Sequence, residues 1–539
     1  MKKIFVLAIM AFSVISVSAQ DNVNPDTYIG AQLSTEDLNG TARYVGMGGA
    51  MEALGADLSV MGSNPAGIGL YRKSQIAGSF GLNSQVDGKS FGEGSKTNAS
   101  FDQIGFVYST RTGQQSFVNF GFNFHKSRNF DYVLSAAADA VNGSSQNRQT
   151  YINLLNNLDA NGDIINPWKE SQADKLNYKL IDIYDDNGDY VETQYVNAEK
   201  YRFDRSHTGY IGEYDINLSG NINNRVYLGL TVGINSVHYN GYSVYQEDLK
   251  SLTDPTINYL EVHDSHKITG MGYNIKFGAI VRPVEESPFR LGAYVHSPTM
   301  YKLKTSNVSS IHDQRELMRE VVTDPLEFRL NTPWKFGFSL GHTVGSNFAI
   351  GATYEYADYS TVDLRSITRS YYDDWYGDYQ EDSNTDPVMK AHTEKTLEGV
   401  HTLKVGTEYK LDKNIALRLG YNYVSPMYKD TGVRDLTLNS TGTLLASTTD
   451  YTNWKDTHRL TAGVGFTFDN FRLDLAYQYQ ARKGDFYPYQ HRRTSGSNEL
   501  LSGIETAADG SKVTVSNEAK PVSVKDNRHQ LLCTLTYTF

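Results

Sequence analysis

Cysteine is almost absent from this chain, since Cys533 is the only one among 539 residues. A single cysteine cannot form an intramolecular disulfide, so a disulfide framework is excluded. Long apolar runs are also missing after the first twenty residues, and the mean hydropathy of -0.46 is that of a water-soluble protein. Beyond its start, the sequence therefore offers no candidate for a membrane-spanning helix.

The chain has fewer basic than acidic residues, with 50 Lys and Arg against 61 Asp and Glu. The formal net charge of -11 becomes -13 when Lys2 and Lys3 are removed with a leader, and this acidic balance argues against nucleic acid as a partner. Catalytic motifs are scarce, and the chain has no His-Glu-x-x-His pair. We therefore expect no enzyme activity, no catalytic residues, no metal site and no cofactor.

The first nineteen residues are typical of a secretory signal peptide. Lys2 and Lys3 precede an apolar run from Ile4 to Val17, and Val17-Ser18-Ala19 resembles a signal-peptidase site. A membrane anchor is the weaker interpretation, because the run is shorter than the roughly 20 residues of a spanning helix. We expect residues 1–19 to be a signal peptide and the remainder to be exported.

Aromatic residues are abundant, at 12% of the chain with 38 Tyr, and many of them recur at every second position. Phe471, Leu473, Leu475, Tyr477 and Tyr479 alternate with polar or small residues, and Leu531 to Phe539 behaves in the same way. A soluble β-sandwich also alternates, but its packed core would exclude the Arg, Asp and Asn found on the second face here. Apolar faces that end in aromatics, opposite polar faces, favour a transmembrane β-barrel.

The connections between the predicted strands alternate in length. We place about 14 strands, among them one near residues 393–411, and every second connection is short. The short ones are Thr112 to Gln115, Asn223-Asn224, Pro283 to Pro288, Gly345-Ser346, Asp412-Lys413 and Asp469-Asn470. Short periplasmic turns and long extracellular loops are typical of outer-membrane barrels. The predicted class is an all-β transmembrane antiparallel barrel over residues 74–539, with its largest extracellular loop at 128–204.

Residues 20–73 precede the first strand and do not alternate. They contain Gly46-Met47-Gly48-Gly49-Ala50, then Asp57, then Asn64-Pro65-Ala66-Gly67. A mobile tail would be charged and poor in Met, Leu and Val. We therefore expect an ordered N-terminal plug, or hatch, inside the barrel.

This segment resembles that of the FadL/TodX-like outer-membrane transporters, which have a similar glycine-rich stretch and an Asn-Pro-Ala box just before the first strand. The resemblance implies a 14-stranded barrel with an N-terminal hatch and passive uptake of long-chain fatty acids or hydrophobic aromatics, which leave sideways through the barrel wall. It also implies that Asn64, Pro65, Ala66, Gly48 and Gly49 are hatch residues. A related branch, the PorV-type shuttle proteins, has a similar box and binds exported proteins, and the motif does not separate the two.

The partners expected on this interpretation are outer-membrane lipid, a hydrophobic small-molecule ligand and the barrel assembly machinery of a Gram-negative bacterium. Exported proteins are the partners on the shuttle interpretation, which includes a surface receptor for such proteins. A purely structural or adhesive barrel is a third class.

Ligand-binding residues are sought in the long loops, which usually carry function. Residues 147–159 are spaced as an amphipathic helix with Tyr151, Leu154, Leu155 and Leu158 on its apolar side, and Leu317 and Met318 begin a second helical pattern. They form either a ligand groove or merely a packed loop cap. Asp159 to Asp163 and Asp185 to Asp189 look like calcium loops but lack the closing Glu, so turns are favoured.

Overall fold

The structure is a computed structural model. It describes residues 25–149, 180–185, 187–250, 258–313, 317–322, 325–373, 378–435, 438, 450–490, 502–506, 512–516 and 519–539. The predicted signal peptide, residues 1–19, lies outside these ranges. Among the described residues, no helix is both long enough and apolar enough to cross a bilayer.

Fourteen antiparallel strands of the described chain form a closed wall, in which each strand pairs with the next and the last pairs with the first. The first seven are β1 (Gln75–Gln85), β2 (Thr97–Arg111), β3 (Phe117–Asn129), β4 (Asn197–Ile222), β5 (Val226–Lys250), β6 (Tyr259–Val281) and β7 (Arg290–His296). The other seven are β8 (Lys335–Val344), β9 (Phe348–Asp358), β10 (Gly399–Lys410), β11 (Ile415–Val424), β12 (Tyr451–Phe468), β13 (Phe471–Tyr487) and β14 (Arg528–Thr538).

Further strands extend the wall beyond its extracellular edge by pairing with the ends of the wall strands or with one another. They are Tyr132–Asp139, Met300–Asp313, Leu317–Val322, Leu326–Asn331, Asp363–Asp373, Asp378–Thr385 and Val522–Lys525. Two separate hairpins are Leu180–Tyr184 with Tyr190–Tyr195, and Ser502–Thr506 with Lys512–Ser516. Three helices are described: α1 (Thr27–Ser34), α2 (Ala42–Gly46) and α3 (Pro387–Thr396).

The wall is apolar outside and polar inside. On β13, Leu475 and Tyr477 are exposed, whereas Asp474 and Gln478, which precede and follow them, are buried. The same inversion holds on β4, where Ile216 and Leu218 are exposed while Asp215 and Asn217 are buried. A protein in water buries its apolar residues instead, so this outer face lies in lipid. The closed barrel is therefore a membrane barrel, and its architecture is that of the proteins of the Gram-negative outer membrane.

The short connections form as the sequence predicts. Asn223 and Asn224 both have a φ of 51°, the left-handed backbone that a two-residue hairpin turn of the right twist requires. Asp469 and Gly345 adopt the same backbone region, at φ 48° and 58°, in two other turns. These turns lie at the end of the barrel where β1 begins and β14 ends, which is the periplasmic end.

Several boundaries differ from the predicted ones. We expected a strand from 393 to 411, but residues Pro387–Thr396 form α3 and β10 begins at Gly399. Asp386 caps α3 by accepting from the backbone N–H groups of Val388 and Met389, and Pro387 suits the first helical turn. The predicted loop 128–204 contains the strand Tyr132–Asp139 and the first residues of β4, because both continue the ladder outward.

Candidate functional site

Residues 25–73 lie inside the barrel, and we refer to them as the lumenal segment. Its main chain packs against β5 at Gly229, β9 at Gly351 and β12 at Gly463, and its Met61 side chain packs against β3 at Gly121. These strands lie on all sides of the wall. A single segment can reach all of these strands only from within the lumen. The segment runs from α1, which packs against α3 at the extracellular end, to β1 at the periplasmic end.

The Asn-Pro-Ala box docks this segment on the wall. The Asn64 side chain accepts from the backbone N–H of Ala66 at 3.2 Å and donates to the carbonyl of Glu52 at 3.1 Å. The Pro65 carbonyl accepts from the Ser219 hydroxyl on β4 at 2.8 Å. Asn64 thus caps the short helical turn Pro65–Leu70 and ties it to the rest of the segment.

Gly48 and Gly49 allow the segment to touch the barrel backbone directly. Their φ angles are 63° and 78°, and a Cβ on Gly48 would lie 2.8 Å from the backbone nitrogen of Tyr421. Both the left-handed backbone and the close approach require glycine at position 48. The five predicted hatch residues therefore lie at contacts within the segment or between it and the wall, and their part in gating stays a prediction.

An ionic network joins the segment to the wall near the periplasmic end. Arg43 pairs with Glu408 at 3.0 Å, Glu408 pairs with Arg418 at 2.7 Å, and Arg418 pairs with Asp474 at 2.7 Å. Arg472 adds a bond to Asp474 at 2.7 Å. The pairing of lumen-facing charges that the alternation suggests is thus present, and it extends to the segment through Arg43.

A second anchor lies about Glu52, which is fully buried. Its carboxylate accepts from Lys404 at 2.9 Å, Thr353 at 2.7 Å and Tyr44 at 3.1 Å. Glu355 pairs with Lys404 at 3.7 Å and accepts from Tyr294 at 2.8 Å. Charged groups that are buried this deeply must be paired, so the network fixes the position of the segment.

The ladder between β2 and β3 is incomplete. It ends at the pair Gln103↔His125, although β2 pairs with β1 as far as Thr97 and β3 pairs with β4 as far as Asn129. Residues 97–102 of β2 and 126–129 of β3 therefore have no ladder pairing with each other in the described structure. We call this interruption the window.

The lumenal segment fills the window from inside. Asn39 donates to the Asp102 carboxylate at 3.0 Å and to the Lys126 carbonyl at 3.2 Å, so one amide bridges both edges. The backbone N–H of Asp37 donates to the Ser127 carbonyl at 2.8 Å. Edge groups that a neighbouring strand would normally satisfy are satisfied here by the segment.

The Asp37 carboxylate completes this closure. It accepts from the backbone N–H of Asn129 at 2.9 Å and from the Arg128 guanidinium at 2.7 Å. Burial acts to raise the pKa of Asp37, but Arg128, Arg459 and the N–H of Asn129 outweigh it and hold that pKa below its usual range. The carboxylate is therefore charged at neutral pH, and the closure includes an ionic bond.

Aromatic rings lie on the lipid side of the window. Phe80, Phe101, Phe124 and Tyr214 form a row across β1 to β4, with successive ring centroids 5.3, 6.0 and 4.9 Å apart. Phe101 lies on the unpaired part of β2, and Phe124 lies next to the last paired residue of β3. The outer rim of the window is thus an apolar surface.

Two of the cavities on the lumen side lie toward the extracellular end of the lumenal segment. The one that adjoins the window has a volume of about 150 Å³ and is lined by charged groups that include Asp37, Arg128, Lys335 and Glu355. The other, of about 110 Å³, lies beside α1 and is lined by rings and arginines. Its rings include Tyr28, Phe130, Tyr239, Tyr428, Tyr451 and Trp454.

A buried group of His125, Glu213 and Asp215 has the residue types of a metal site. The Lys276 ammonium, however, lies 2.7 Å from Glu213 and 3.2 Å from Asp215, where it neutralises both carboxylates. The residues 88–92 carry the letters Gly-x-Ser-x-Gly of a hydrolase elbow, but they form a loop between two strands rather than a strand-to-helix turn.

The loop residues proposed to bind ligand fare differently. Tyr151, Leu154, Leu155 and Leu158 lie outside the described residues. The helix expected at Leu317 and Met318 is wrong, because both begin a strand that pairs with the strand Met300–Asp313. The exposed edge of that strand offers backbone donors and acceptors, and pairing with them outweighs a weak helical pattern.

The sequence analysis did not predict the residues that form and close the window. Asp37 and Asn39 belong to no motif, and the alternation expected of β3 simply fails in the polar run from His125 to Asn129. This loss of the polar and apolar alternation within a wall strand is the one signal that could have indicated an irregular strand edge. By contrast, Asp185 and Asp189 close the turn of a hairpin, as their residue types predict.

No family model and no curated protein matches the sequence. Among solved structures, the chain is similar to a FadL homologue from Pseudomonas aeruginosa, with 12% identity, a TM-score of 0.48 and coverage of 94% of this chain and 100% of that one. It is also similar to the toluene transporter TodX from Pseudomonas putida, with 12% identity, a TM-score of 0.43 and coverage of 94% and 99%. It is similar as well to the toluene transporter TbuX from Ralstonia pickettii, with 12% identity, a TM-score of 0.45 and coverage of 93% of this chain and 99% of that one.

Proposed function

We propose that this protein is a passive outer-membrane channel for hydrophobic small molecules, which leave the lumen through the window between β2 and β3. The observation that carries the proposal is the interrupted ladder closed by Asp37 and Asn39. A complete ladder would need no such closure. Side-chain bonds to a wall edge can open without breaking the strand pairing of β2 with β1 or of β3 with β4, so the window can open while the barrel stays intact.

The way in which the segment is docked favours a sideways exit over an axial one. An axial path to the periplasm would require the segment to leave its contacts with the wall, such as the ion pair of Arg43 with Glu408 and the backbone contact of Gly48 with Tyr421. The sideways path leads from the cavity at Asp37 to the rings of Phe101 and Phe124 and then to lipid. An apolar ligand gains roughly 25 cal/mol per Å² on that last step.

Within this class, we infer a ligand with an anionic head, such as a long-chain fatty acid, rather than an uncharged aromatic. Five arginines line the cavity beside α1, namely Arg128, Arg205, Arg434, Arg482 and Arg528. Among the described residues, these five arginines pair with only four carboxylates, Asp26, Asp37, Asp450 and Asp526, so one positive charge is left in excess. The arginines lie among tyrosine and tryptophan rings, which suits a molecule with an apolar body and one carboxylate that accepts hydrogen bonds from guanidinium. Displacement of a fluorescent fatty acid by oleate but not by toluene is the expected binding result.

The route is tested by locking the window. In a Cys533→Ser background, Asn39→Cys with Asp102→Cys places thiols on the two residues whose longer side chains now meet at 3.0 Å. A short bis-methanethiosulfonate reagent, which bridges the two thiols through reducible disulfides, should cross-link the segment to β2, and uptake of labelled oleate by cells should stop. A reductant should restore uptake in the same cells.

The matched control is Leu475→Cys with the native Cys533, which joins β13 to β14 on the lipid face, where the two residues lie directly opposite each other. This cross-link lies in the wall away from the unpaired edges and should leave uptake unchanged. Uptake that continues through a fully cross-linked window would contradict the proposed route. Loss of oleate binding altogether, with an exported protein bound instead, would favour the shuttle function.

A further inference from the structure

The outer face carries a repeated pair of tyrosine and histidine. Tyr354 and His401, Tyr421 and His458, and Tyr477 and His529 each join a hydroxyl to an imidazole Nδ1 at 2.7 Å. In each case a second tyrosine lies directly opposite the histidine, with ring centroids 5.1 to 5.3 Å apart. The repeat is visible in the sequence as Tyr-x-Tyr on one strand and His-x-Leu on the next.

These pairs lie at one height in the membrane. Each histidine is nine or ten residues from the periplasmic end of its strand, as judged from the ends of β10, β12 and β14. With a rise of about 3.3 Å per residue and a tilt of about 40°, that distance is roughly 25 Å, the height of the apolar band. The histidines therefore lie at the outer edge of the bilayer, level with the headgroups of the outer leaflet.

The outward nitrogen of one histidine already binds an anion. His458 Nε2 lies 2.9 Å from the Asp456 carboxylate. Among the described residues, no corresponding acceptor lies at Nε2 of His401 or His529, although their Nδ1 atoms are bound in the same way. The geometry of His458 shows that an oxyanion suits this position.

A patch of lysines lies just above His529. Lys483 on β13 and Lys525 are directly opposite each other across the strands, and both side chains point outward and are exposed. Lys455 lies nearby on β12 and forms an ion pair with Asp485 at 3.0 Å. Like charges directly opposite across a sheet are destabilising, and Asp485, a neighbouring carboxylate of the described chain, is already paired with Lys455.

We propose that Lys483, Lys525 and His529 bind the phosphorylated headgroup of an outer-leaflet glycolipid. The three residues lie on one outward face over a span of four residues, or roughly 13 Å along the strand. A headgroup phosphate would relieve the repulsion between the lysines and accept from the imidazole. The acyl chains of the same lipid would lie against Leu475, Tyr477 and Leu531, which are exposed below the histidine.

The height and the neighbours of the patch favour a lipid over a free anion. A free phosphate would gain only the two lysines and the imidazole, whereas a membrane-anchored phosphate is also held at this level by its own acyl chains. Lysines close to the membrane surface attract anionic lipid. Loss of both lysines should then weaken binding by roughly tenfold or more.

The test uses the purified full-length protein in detergent, freed of lipid, with bisphosphorylated lipid A as the probe. Lipid retention is measured by native mass spectrometry over a titration. Lys483→Gln with Lys525→Gln should lower the apparent affinity roughly tenfold or more. The control is Lys410→Gln with Lys413→Gln, two lysines at the periplasmic end of the same wall, and this variant should bind as the wild type does.

Two further arms use the wild type alone and so do not depend on any variant folding. Lipid A from which the phosphates have been removed should bind at least tenfold more weakly, and inorganic phosphate at millimolar concentration should compete poorly. Equal binding of the dephosphorylated lipid, or equal losses in both lysine variants, would overturn the proposal. Full competition by inorganic phosphate would show an anion site without lipid specificity and would overturn it too. The inference stands apart from the transport route, since no residue of the window takes part in it.

Discussion

Arg43 in the lumenal segment and Glu408 on β10 form a two-pronged ion pair, with Nε–Oε2 and Nη2–Oε1 distances of 3.0 Å. Glu408 also accepts from Arg418, so a single carboxylate holds a cation of the segment and a cation of the wall. The two-pronged geometry fixes direction as well as distance. The segment is thereby held near the point at which the chain enters β1.

Arg43→Ala should loosen the segment without preventing barrel assembly. It removes one partner of a buried pair and leaves Glu408 with Arg418 alone, which costs about 3 kcal/mol. We expect a lower midpoint of thermal unfolding and an increase in single-channel conductance. The wild type itself should show no large, steady conductance of the porin type.

The control for this variant is Arg111→Ala, which removes an exposed arginine that donates to carbonyls of its own turn. Arg111→Ala should change neither the midpoint of thermal unfolding nor the single-channel conductance. A wild-type-like conductance in Arg43→Ala, with the melting midpoint also unchanged, would show that the pair does not hold the segment.

Gly48→Ala tests the contact between the segment and the wall. A methyl group there would lie 2.8 Å from the Tyr421 nitrogen, on a backbone with a φ of 63°. Gly345→Ala is the matched control, because its φ is 58° and nothing lies within 4 Å of the added methyl. Both variants carry the left-handed penalty of about 1–2 kcal/mol, so any extra loss of unfolding free energy in Gly48→Ala measures the close contact. Equal losses in the two would mean that the segment is not packed against β11.

The pH dependence of the window follows from Asp37. Its pKa is held below the usual range by Arg128, Arg459 and Asn129, so the folded state favours the charged form. A depressed pKa of this kind gives stability that is present above the unfolded value, about 3.9, and is lost as the pH falls through the folded value. The protection factor of the Asn129 N–H, which is the intrinsic exchange rate divided by the measured rate, should therefore stay high at pH 5 and fall only in strong acid. Asp37→Ala should lower this protection factor at every pH, and a protection factor that falls between pH 7 and pH 5 in the wild type would contradict the assignment.

The barrel was predictable from the sequence because alternation is a local property. Successive residues of a strand point to opposite faces, so the apolar Leu475 is expected to face lipid and the charged Asp474 to face the lumen. The short turns were equally predictable, since Asn223-Asn224 has the residue types that its backbone requires. Gly48, Asn64 and Pro65 are residue types that favour a packed segment over a mobile tail, and each of them lies at such a contact.

The window was not predictable, because it depends on contacts between residues far apart in the chain. Asn39 and Lys126 are 87 positions apart, and nothing local to either indicates that they meet. The helix predicted at Leu317 failed for a related reason: the pairing partner, an exposed strand edge, lies outside the local pattern. Long loops are where such non-local choices accumulate.

Cys533 offers a direct check of which face meets lipid. The residue is exposed on β14, whereas Thr534 beside it is buried and accepts from the backbone N–H of Ala42 at 2.7 Å. In lipid vesicles, Cys533 should resist a water-soluble, membrane-impermeant maleimide and should react with a lipid-soluble one. Fast labelling by the impermeant reagent would place β14 in the opposite register.

The Asn-Pro-Ala box and the long loop should affect different steps of uptake. Asn64→Ala removes the bonds to Ala66 and Glu52 deep in the lumen, so it should alter passage while leaving capture of ligand from outside unchanged. Replacing Leu154, Leu155 and Leu158 with Asp should do the reverse and weaken capture, if those leucines form an apolar groove. Each large apolar side chain buried against a ligand contributes about 1.5–3 kcal/mol, so three losses are easily measured.

Equilibrium binding of oleate by each purified variant, measured beside uptake by cells, separates the two steps. Capture and passage are distinct when the Asn64 variant binds as the wild type does but transports at another rate, and when the leucine variant loses both binding and uptake. Both barrels should still assemble, because Asn64 belongs to no strand and the loop lies beyond the ladder. Unchanged binding in a folded leucine variant would remove the loop from the route and leave the ring-lined cavity beside α1 as the place where ligand is first held.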